Sequence, residues 1–151
     1  CFLKATDADG FYSQSAVDID GNTVSFEKYK GKVALVVNLL QELYTKHQGR
    51  GFRILAFPSS QFETQESEPE SVIKQNLIEK YGASFDMFSK VDVNGENASP
   101  LYKYLQSALA DPVEITWNFA KFLIDRHGKP YKRYMPDVAP IVSPSDLLQF
   151  L

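Results

Sequence analysis

The order strand, helix, strand between residues 33 and 57 limits the possible folds of this chain more than any other feature. Segment 33–38 (VALVVN) is an aliphatic run of the kind found in strands buried on both faces. Segment 39–51 (LLQELYTKHQGRG) carries apolar residues three and four positions apart and includes two glycines near its end, which predicts a short amphipathic helix. Segment 52–57 (FRILAF) predicts a second buried strand. Two strands joined through a helix lie parallel, so the pattern predicts the α/β class.

Two predicted β-hairpins flank this unit. Short alternating runs around Asp20-Gly21 predict the first over 14–26, because an Asp-Gly pair suits a tight turn. Segment 117–136 (WNFAKFLIDRHGKPYKRYMP) predicts an antiparallel hairpin that turns at His127-Gly128. Segment 85–95 (FDMFSKVDVNG) predicts one more short strand and a turn.

Three further helices are predicted after the long polar loop 58–70. The first covers 70–82 and ends at Gly82, with one apolar face formed by Val72, Ile73, Leu77, Ile78 and Tyr81. The second has Ser99 as its N-cap and Pro100 in its first turn. The third is a short capped helix in the last nine residues (SPSDLLQFL).

Composition excludes several classes of protein. The 151 residues have the size and the average hydrophobic content of one globular domain, which can form a core without disulfides or metal. A net charge of −3 argues against a nucleic-acid-binding protein, which would need a basic face. No apolar run approaches the roughly 20 residues of a membrane helix, so we expect no transmembrane segment.

The cysteine count limits the available chemistry. Cys1 is the single cysteine, which excludes an internal disulfide framework, a four-cysteine zinc site and a CxxC motif. The two histidines, His47 and His127, have no partner at metal-ligand or triad spacing, so neither a metal nor a bound cofactor is expected. The chain begins with Cys1 and not with Met, which favours a processed, secreted protein, with the cytoplasm as the alternative.

Four segments resemble the glutathione peroxidase family in their amino-acid sequence and in their order along the chain. They are 11–38 (FYSQSAVDIDGNTVSFEKYKGKVALVVN), 57–62 (FPSSQF), 85–105 (FDMFSKVDVNGENASPLYKYL) and 117–134 (WNFAKFLIDRHGKPYKRY). The resemblance spans 11–151 and leaves 1–10 as an N-terminal tail. It implies a single domain of thioredoxin-like fold, in which helices flank a central mixed sheet and a β-hairpin lies near the N-terminus.

The resemblance also implies a chemistry. Family members reduce hydrogen peroxide or lipid hydroperoxides, as in the response to oxidative stress, and glutathione or thioredoxin is the reductant. Their peroxidatic cysteine or selenocysteine attacks the O–O bond as an anion. Side-chain N–H groups of a Gln in the FPCNQF motif and of the Trp and Asn of WNF stabilise that anion and the leaving oxygen. By motif, these three residues are Gln61, Trp117 and Asn118 here.

The chain departs from the family at the nucleophile. In the family, the strand ending in VVN continues as a V-A-S-x-C-G-x-T loop and the first half of a helix, whereas here Leu39 follows Asn38 directly. Ser59 and Ser60 stand where the FPCNQF motif has cysteine and asparagine. A serine hydroxyl is barely ionised near neutral pH, so neither serine replaces a thiolate. The chain as written lacks the peroxidatic nucleophile.

Two interpretations of this departure stay open. In the first, the protein is a non-catalytic relative, a pseudoenzyme with a binding or structural role. In the second, it is a thiol- or selenol-dependent peroxidase whose nucleophile loop, between Asn38 and Leu39, is absent only from the sequence as written. A direct joint between strand and helix is physically tolerable, because Asn38 is a good N-cap and Gln41 completes a capping box.

Basic residues concentrate in the predicted second hairpin. These residues are Lys121, Arg126, Lys129, Lys132 and Arg133. A basic surface of this kind would attract anionic phospholipid headgroups. The alternative is an ordinary solvated face. The short segment 106–116 resembles the monomeric, phospholipid-hydroperoxide type of the family. We therefore expect a monomer, with a dimer linked through Cys1 as the alternative.

Overall fold

The computed structural model describes residues 10–37, 48–62, 68–109, 114–116, 120–135 and 144–151. Seven strands lie in these ranges, namely β1 (Ser15–Val17), β2 (Thr23–Ser25), β3 (Val33–Val37), β4 (Phe52–Ala56), β5 (Asp86–Met87), β6 (Lys121–Ile124) and β7 (Pro130–Tyr134). The described α-helices are α1 (Glu70–Tyr81), α2 (Pro100–Ala108) and α3 (Pro144–Leu148). Two short 3₁₀ helices cover Phe26–Tyr29 and Gln48–Arg50.

Five strands form one mixed sheet in the order β5-β4-β3-β6-β7. Strand β4 runs parallel to β3, and β5 runs parallel to β4, whereas β6 is antiparallel to β3 and β7 is antiparallel to β6. All five residues of the central strand β3 are buried, as its unbroken aliphatic run predicts. The parallel pairing of β3 and β4 confirms the predicted α/β class. The helix predicted between them falls mainly on residues 38–47, which lie outside the described residues.

Both predicted hairpins are confirmed. Strands β1 and β2 pair antiparallel, and the carboxylate of Asp18 accepts hydrogen bonds from the backbone N–H groups of Asp20 (3.0 Å) and Asn22 (2.8 Å) in the turn. Strands β6 and β7 are joined by a turn of the same kind, in which Asp125 accepts from the N–H groups of His127 (2.8 Å) and Lys129 (2.9 Å). Local carboxylate-to-backbone bonds therefore fix both turns.

Helix α2 begins as predicted. The Ser99 hydroxyl accepts a hydrogen bond from the N–H of Tyr102 (3.4 Å), and Pro100 occupies the first turn, where its missing N–H costs nothing. The helix buries Leu101, Tyr102 and Leu105. Helix α3 is also confirmed, over the five residues 144–148.

Helix α1 ends as predicted but has a narrower buried face. Gly82 adopts a left-handed conformation (φ 62°), and its N–H bonds to the carbonyls of Leu77 and Ile78. Only Ile73 and Leu77, one turn apart, are buried. The prediction of one continuous apolar face was wrong for the other three residues, since their exposed fractions are 36%, 46% and 61% for Val72, Ile78 and Tyr81. The helix contacts the sheet along one line of side chains.

The sheet separates two hydrophobic clusters. Side chains alternate along β3, so Ala34 and Val36 enter the cluster that α2 covers. That cluster is aromatic, with Phe57 and Phe88 stacked at 4.4 Å. The remaining residues of β3 enter the cluster that α1 and α3 cover. Helices therefore pack on both faces of the sheet, as the predicted architecture requires.

Candidate functional site

The sheet topology brings the motif-bearing segments to one end of the sheet. Loop 57–62 leaves the carboxyl end of β4, beside the carboxyl end of the parallel strand β3. Strand β6 is antiparallel to β3, with Phe122 opposite Val36, so the chain enters β6 at this same end. We call it the carboxyl end of the sheet. Gln61 is described there, whereas Trp117, Asn118 and the Asn38–Leu39 junction lie outside the described residues.

The amide of Gln61 is bound to a neighbouring loop. Its Oε1 accepts hydrogen bonds from the backbone N–H groups of Val93 (2.7 Å) and Asn94 (3.0 Å), and its Nε2 donates to the Asn94 carbonyl (3.0 Å). These bonds use both lone pairs of Oε1 and one of the two N–H groups of Nε2. Gln61 can therefore offer at most one N–H group to another molecule while this arrangement holds.

The two serines before Gln61 differ in burial. Ser59 is buried, and its hydroxyl accepts from the N–H of Gln61 (3.4 Å), which closes a local turn. Ser60 is exposed. His127 lies beyond the other end of β6, at the opposite end of the sheet, and His47 lies outside the described residues. The described residues thus place no histidine beside these hydroxyls to act as a base.

Asn94 is a site residue that the sequence analysis missed. Its side-chain Oδ1 accepts from the N–H of Ile115 (2.9 Å), and its Nδ2 donates to the Ile115 carbonyl (2.7 Å). Ile115 is buried and is two positions before Trp117. The available signal was the Asn94-Gly95 turn, but nothing in the sequence indicates a partner 21 residues away.

Lys121 requires a correction. It was predicted to contribute to a headgroup-binding surface, but only 1% of it is exposed. Strand β6 lies inside the sheet, between β3 and β7, and all four of its residues are buried. A lysine on such a strand cannot reach a membrane surface.

Arg126 binds the protein itself. Its guanidinium donates to the carbonyls of Gly31, Arg50 and Phe150, each at 2.8 Å, and to that of Leu151 at 3.4 Å. A guanidinium has five N–H donors, and these contacts use most of them. Arg126 therefore joins three segments near the amino end of β3 and has little capacity left for a lipid headgroup.

The remaining basic residues differ in exposure. Lys129 and Lys132 are exposed, and Lys132 forms an ion pair with Asp146 (2.8 Å). The hydrogen bond from Lys132, followed by that from Tyr134, lowers the pKa of Asp146, and the same bond raises the pKa of Lys132. Arg133 is half-buried and donates to the Glu114 carbonyl (3.0 Å). The basic residues thus form no continuous exposed patch.

A separate cleft of about 200 Å³ lies between the first hairpin, α1 and β5. Its charged groups pair with one another, as Lys74 with Asp20 (2.6 Å) and Lys28 with Asp86 (3.4 Å). The cleft is lined by these paired charges together with apolar side chains such as Phe85 and Met87.

Within the described ranges no group of three His, Cys, Asp or Glu residues could hold a metal ion, and no helix there is long and apolar enough to cross a membrane.

The fold is thioredoxin-like. A thiol:disulfide interchange protein of the thioredoxin family from Chlorobium tepidum shares the fold with a TM-score of 0.57, at 18% identity over 93% of this chain and 90% of that chain. The structural similarity to the crystal structure of T. cruzi GPX1 is greater, with a TM-score of 0.75 and 30% sequence identity over 93% of this chain and 95% of that one.

The chain belongs to the glutathione peroxidase family. The family's sequence model, described as "Glutathione peroxidase", matches residues 11–106. A glutathione peroxidase of Schistosoma mansoni is 45% identical over 95% of this chain and 94% of its own length. Phospholipid hydroperoxide glutathione peroxidase 1, chloroplastic, of Arabidopsis thaliana is 42% identical over 89% of this chain and 63% of its own length.

Proposed function

We propose that this chain, as written, is a glutathione-peroxidase-like protein that does not reduce hydroperoxides and has a binding or structural role. The observation that carries the proposal is the absence of cysteine from residues 2–151. A thiolate or selenolate is the group that attacks the peroxide in this family, and Cys1 lies ten residues before the start of the family match at Phe11. We propose that 11–151 form one domain, preceded by a tail.

The lengths of the alignments support the loss of an internal segment. The alignment with the Schistosoma mansoni protein extends over 158 positions but includes 95% of this chain's 151 residues, about 143 residues. At about 15 positions of the alignment, therefore, the relative has a residue and this chain has a gap. This is close to the length of a nucleophile loop and the start of a helix.

The contacts of Gln61 also support the proposal. In the family this residue offers N–H groups to the nucleophile, whereas here its amide has three hydrogen bonds to the backbone of residues 93 and 94. A side chain used in this way holds two loops together whether or not a nucleophile is present. It therefore has a structural function that can persist after catalysis is lost.

The second candidate function is that of a thiol- or selenol-dependent peroxidase. It requires a natural form that carries the nucleophile loop and the start of a helix between Asn38 and Leu39. The observation in its favour is that the segments around the site, including Gln61, are still assembled at one end of the sheet. Glutathione or thioredoxin would then be the reductant, and a hydroperoxide the substrate. Mass-spectrometric peptide mapping of the natural protein separates the candidates, because the first requires a peptide in which Asn38 is joined directly to Leu39.

A loop insertion tests the proposal directly. Three purified proteins are compared for consumption of hydrogen peroxide and of a phospholipid hydroperoxide with glutathione or thioredoxin: the chain as written, a variant with the family's V-A-S-x-C-G-x-T loop inserted after Asn38, and the same insertion with serine for cysteine. We expect activity only in the cysteine insertion. Enzyme-like turnover by the chain as written would refute the proposal, and Cys1→Ser would show whether Cys1 is the nucleophile.

A further inference from the structure

Hydrogen bonds connect Gln61 to the segment that leads into Trp117, and Asn94 lies in the middle of this connection. In the first link, the Gln61 amide binds both the N–H and the C=O of Asn94, each at 3.0 Å. In the second link, the Asn94 side-chain amide binds both the N–H (2.9 Å) and the C=O (2.7 Å) of Ile115. Each link therefore has one bond in each direction, as between two peptide groups of adjacent strands.

The burial of Ile115 makes the second link necessary. Only 3% of Ile115 is exposed, and residues 114–116 belong to no strand of the sheet. Buried backbone N–H and C=O groups need partners within the protein, and here Asn94 supplies both. From the other side, Arg133 donates to the carbonyl of Glu114 (3.0 Å). The segment is thus fastened on both sides before the chain reaches Trp117.

The chemistry of the second link selects the amide side chain. One group must accept from an N–H and another must donate to a C=O, and the side-chain amides of Asn and Gln carry both side by side, as a peptide group does. The loop that presents Asn94 is itself held, because Gln106 of α2 donates to the Val93 carbonyl (3.1 Å) and Gly95 takes up a positive φ of 81°. Asn94 is therefore presented from a fixed backbone.

We propose that Asn94 is a positioning residue that fixes residues 114–116, the segment directly before Trp117 in the chain, relative to Gln61. It joins this segment to Gln61 through two successive amide links. The inference concerns placement and does not depend on whether the chain turns over a hydroperoxide. Its test therefore uses exchange and fluorescence and needs no activity.

The first test removes the second link. In Asn94→Ala, we expect the backbone amide proton of Ile115 to exchange with solvent about tenfold faster, because its acceptor is lost. Trp117 is the only tryptophan, so the fluorescence of the protein reports on this segment. We expect its emission to shift and its quenching by acrylamide to increase. In Asn94→Asp, which keeps the acceptor, Ile115 should exchange more slowly than in Asn94→Ala.

The second test asks whether the two links act together. Gln61→Ala should change exchange at Ile115 and the fluorescence of Trp117 in the same direction as Asn94→Ala, but less. In the double variant, the change in exchange and in fluorescence should be smaller than the sum of the changes in the two single variants, because the links are in series. Asn22→Ala is the matched control, since the Asn22 side chain contacts Asp18 in the β1–β2 turn.

Two outcomes would overturn the proposal. One is that Asn94→Ala changes exchange at Ile115 and the emission of Trp117 no more than Asn22→Ala does. The other is that the effects of Gln61→Ala and Asn94→Ala are strictly additive, which would mean two independent contacts. Should Asn94→Ala fail to fold, Gln61→Ala decides the matter, and unchanged fluorescence and unchanged exchange at Ile115 in that variant would refute the proposal.

Discussion

The two ends of the sheet are fastened by different chemistry. At the amino end of β3, the charged guanidinium of Arg126 binds carbonyls from three separate segments. At the carboxyl end, the neutral amides of Gln61 and Asn94 each bind the backbone of one neighbouring segment. Hydrogen bonds from a charged donor are roughly twice as strong as neutral ones. The comparison indicates that the amino end is fastened more strongly than the carboxyl end, which depends on neutral amide contacts.

The largest expected effect comes from removing the charged contact. Arg126→Ala should lower the free energy of unfolding by about 3 kcal/mol, because several carbonyls lose a charged donor at once. Urea unfolding measures the difference, with Arg126→Lys as the control that keeps the charge but not the planar set of donors. A loss below that of Gln61→Ala would contradict the assignment of the amino end as the stronger one.

The next effect tests how closely the chain packs around Arg126. Gly51 has φ 87°, and a Cβ there would lie 2.9 Å from Nη1 of Arg126. Gly21 has nearly the same φ, 88°, with nothing within 4 Å. Both Ala variants should lose about 1 kcal/mol to backbone strain, and Gly51→Ala should lose about 1 kcal/mol more. In an Arg126→Ala background that extra loss should vanish, and its persistence would show that Arg126 is not its cause.

A smaller loss of stability is expected at the carboxyl end, where α2 follows Asn94 in the chain and has Ser99 as its N-cap. Ser99→Ala removes the N-cap acceptor for Tyr102 and should cost about 1 kcal/mol of stability in urea unfolding. Ser99→Asp should retain most of that stability, because a carboxylate also caps the helix. Equal losses in both variants would mean that the cap does not stabilise α2.

The ion pair that joins β7 to α3 should make the free energy of unfolding depend on pH in acidic solution. The folded protein lowers the pKa of Asp146 below its ordinary value of 3.8, so the unfolded chain binds more protons in that range. The stabilisation is present above 3.8 and is lost as the pH falls through the lower, folded value. Wild type should therefore lose more stability than Asp146→Asn between neutral and acidic solution, as urea midpoints would show. Identical losses would contradict the sign.

The smallest effect concerns the exposed lysine of the β6–β7 turn. We propose that Lys129 contributes to attraction for anionic phospholipid headgroups at the amino end. Lys129→Glu should reduce sedimentation with phosphatidylserine vesicles, and added salt should abolish the difference between the two proteins. Binding that is unchanged by the substitution and by salt would leave this end of the molecule with a structural role alone.

The sequence predicts the elements whose signals are local. The aliphatic run of β3, the Ser99-Pro100 start of α2 and the turn at Gly82 are all confirmed, because each depends on residues a few positions apart. The exposed positions of Val72, Ile78 and Tyr81 could not be predicted from helical spacing, because the line of contact on α1 is set by the sheet.

The errors at the site have the same origin. Lys121 is charged, and a charged residue in a hairpin predicts an exposed position, but β6 is an inner strand with neighbours on both sides. Asn94 was missed because its partner, Ile115, is distant in sequence. Long-range pairing determines both positions, and a single sequence does not contain it.

The described pairs of the central strand β3 have an evolutionary consequence. In the part of the chain that the structure describes, the pairing of β3 with β4 extends to Val37 and its pairing with β6 extends to Val36. A segment inserted or deleted after Asn38 leaves each of these pairs in place. The central sheet and the nucleophile loop can therefore change independently in evolution, and the proposed loss of the loop is compatible with a chain that still builds this sheet.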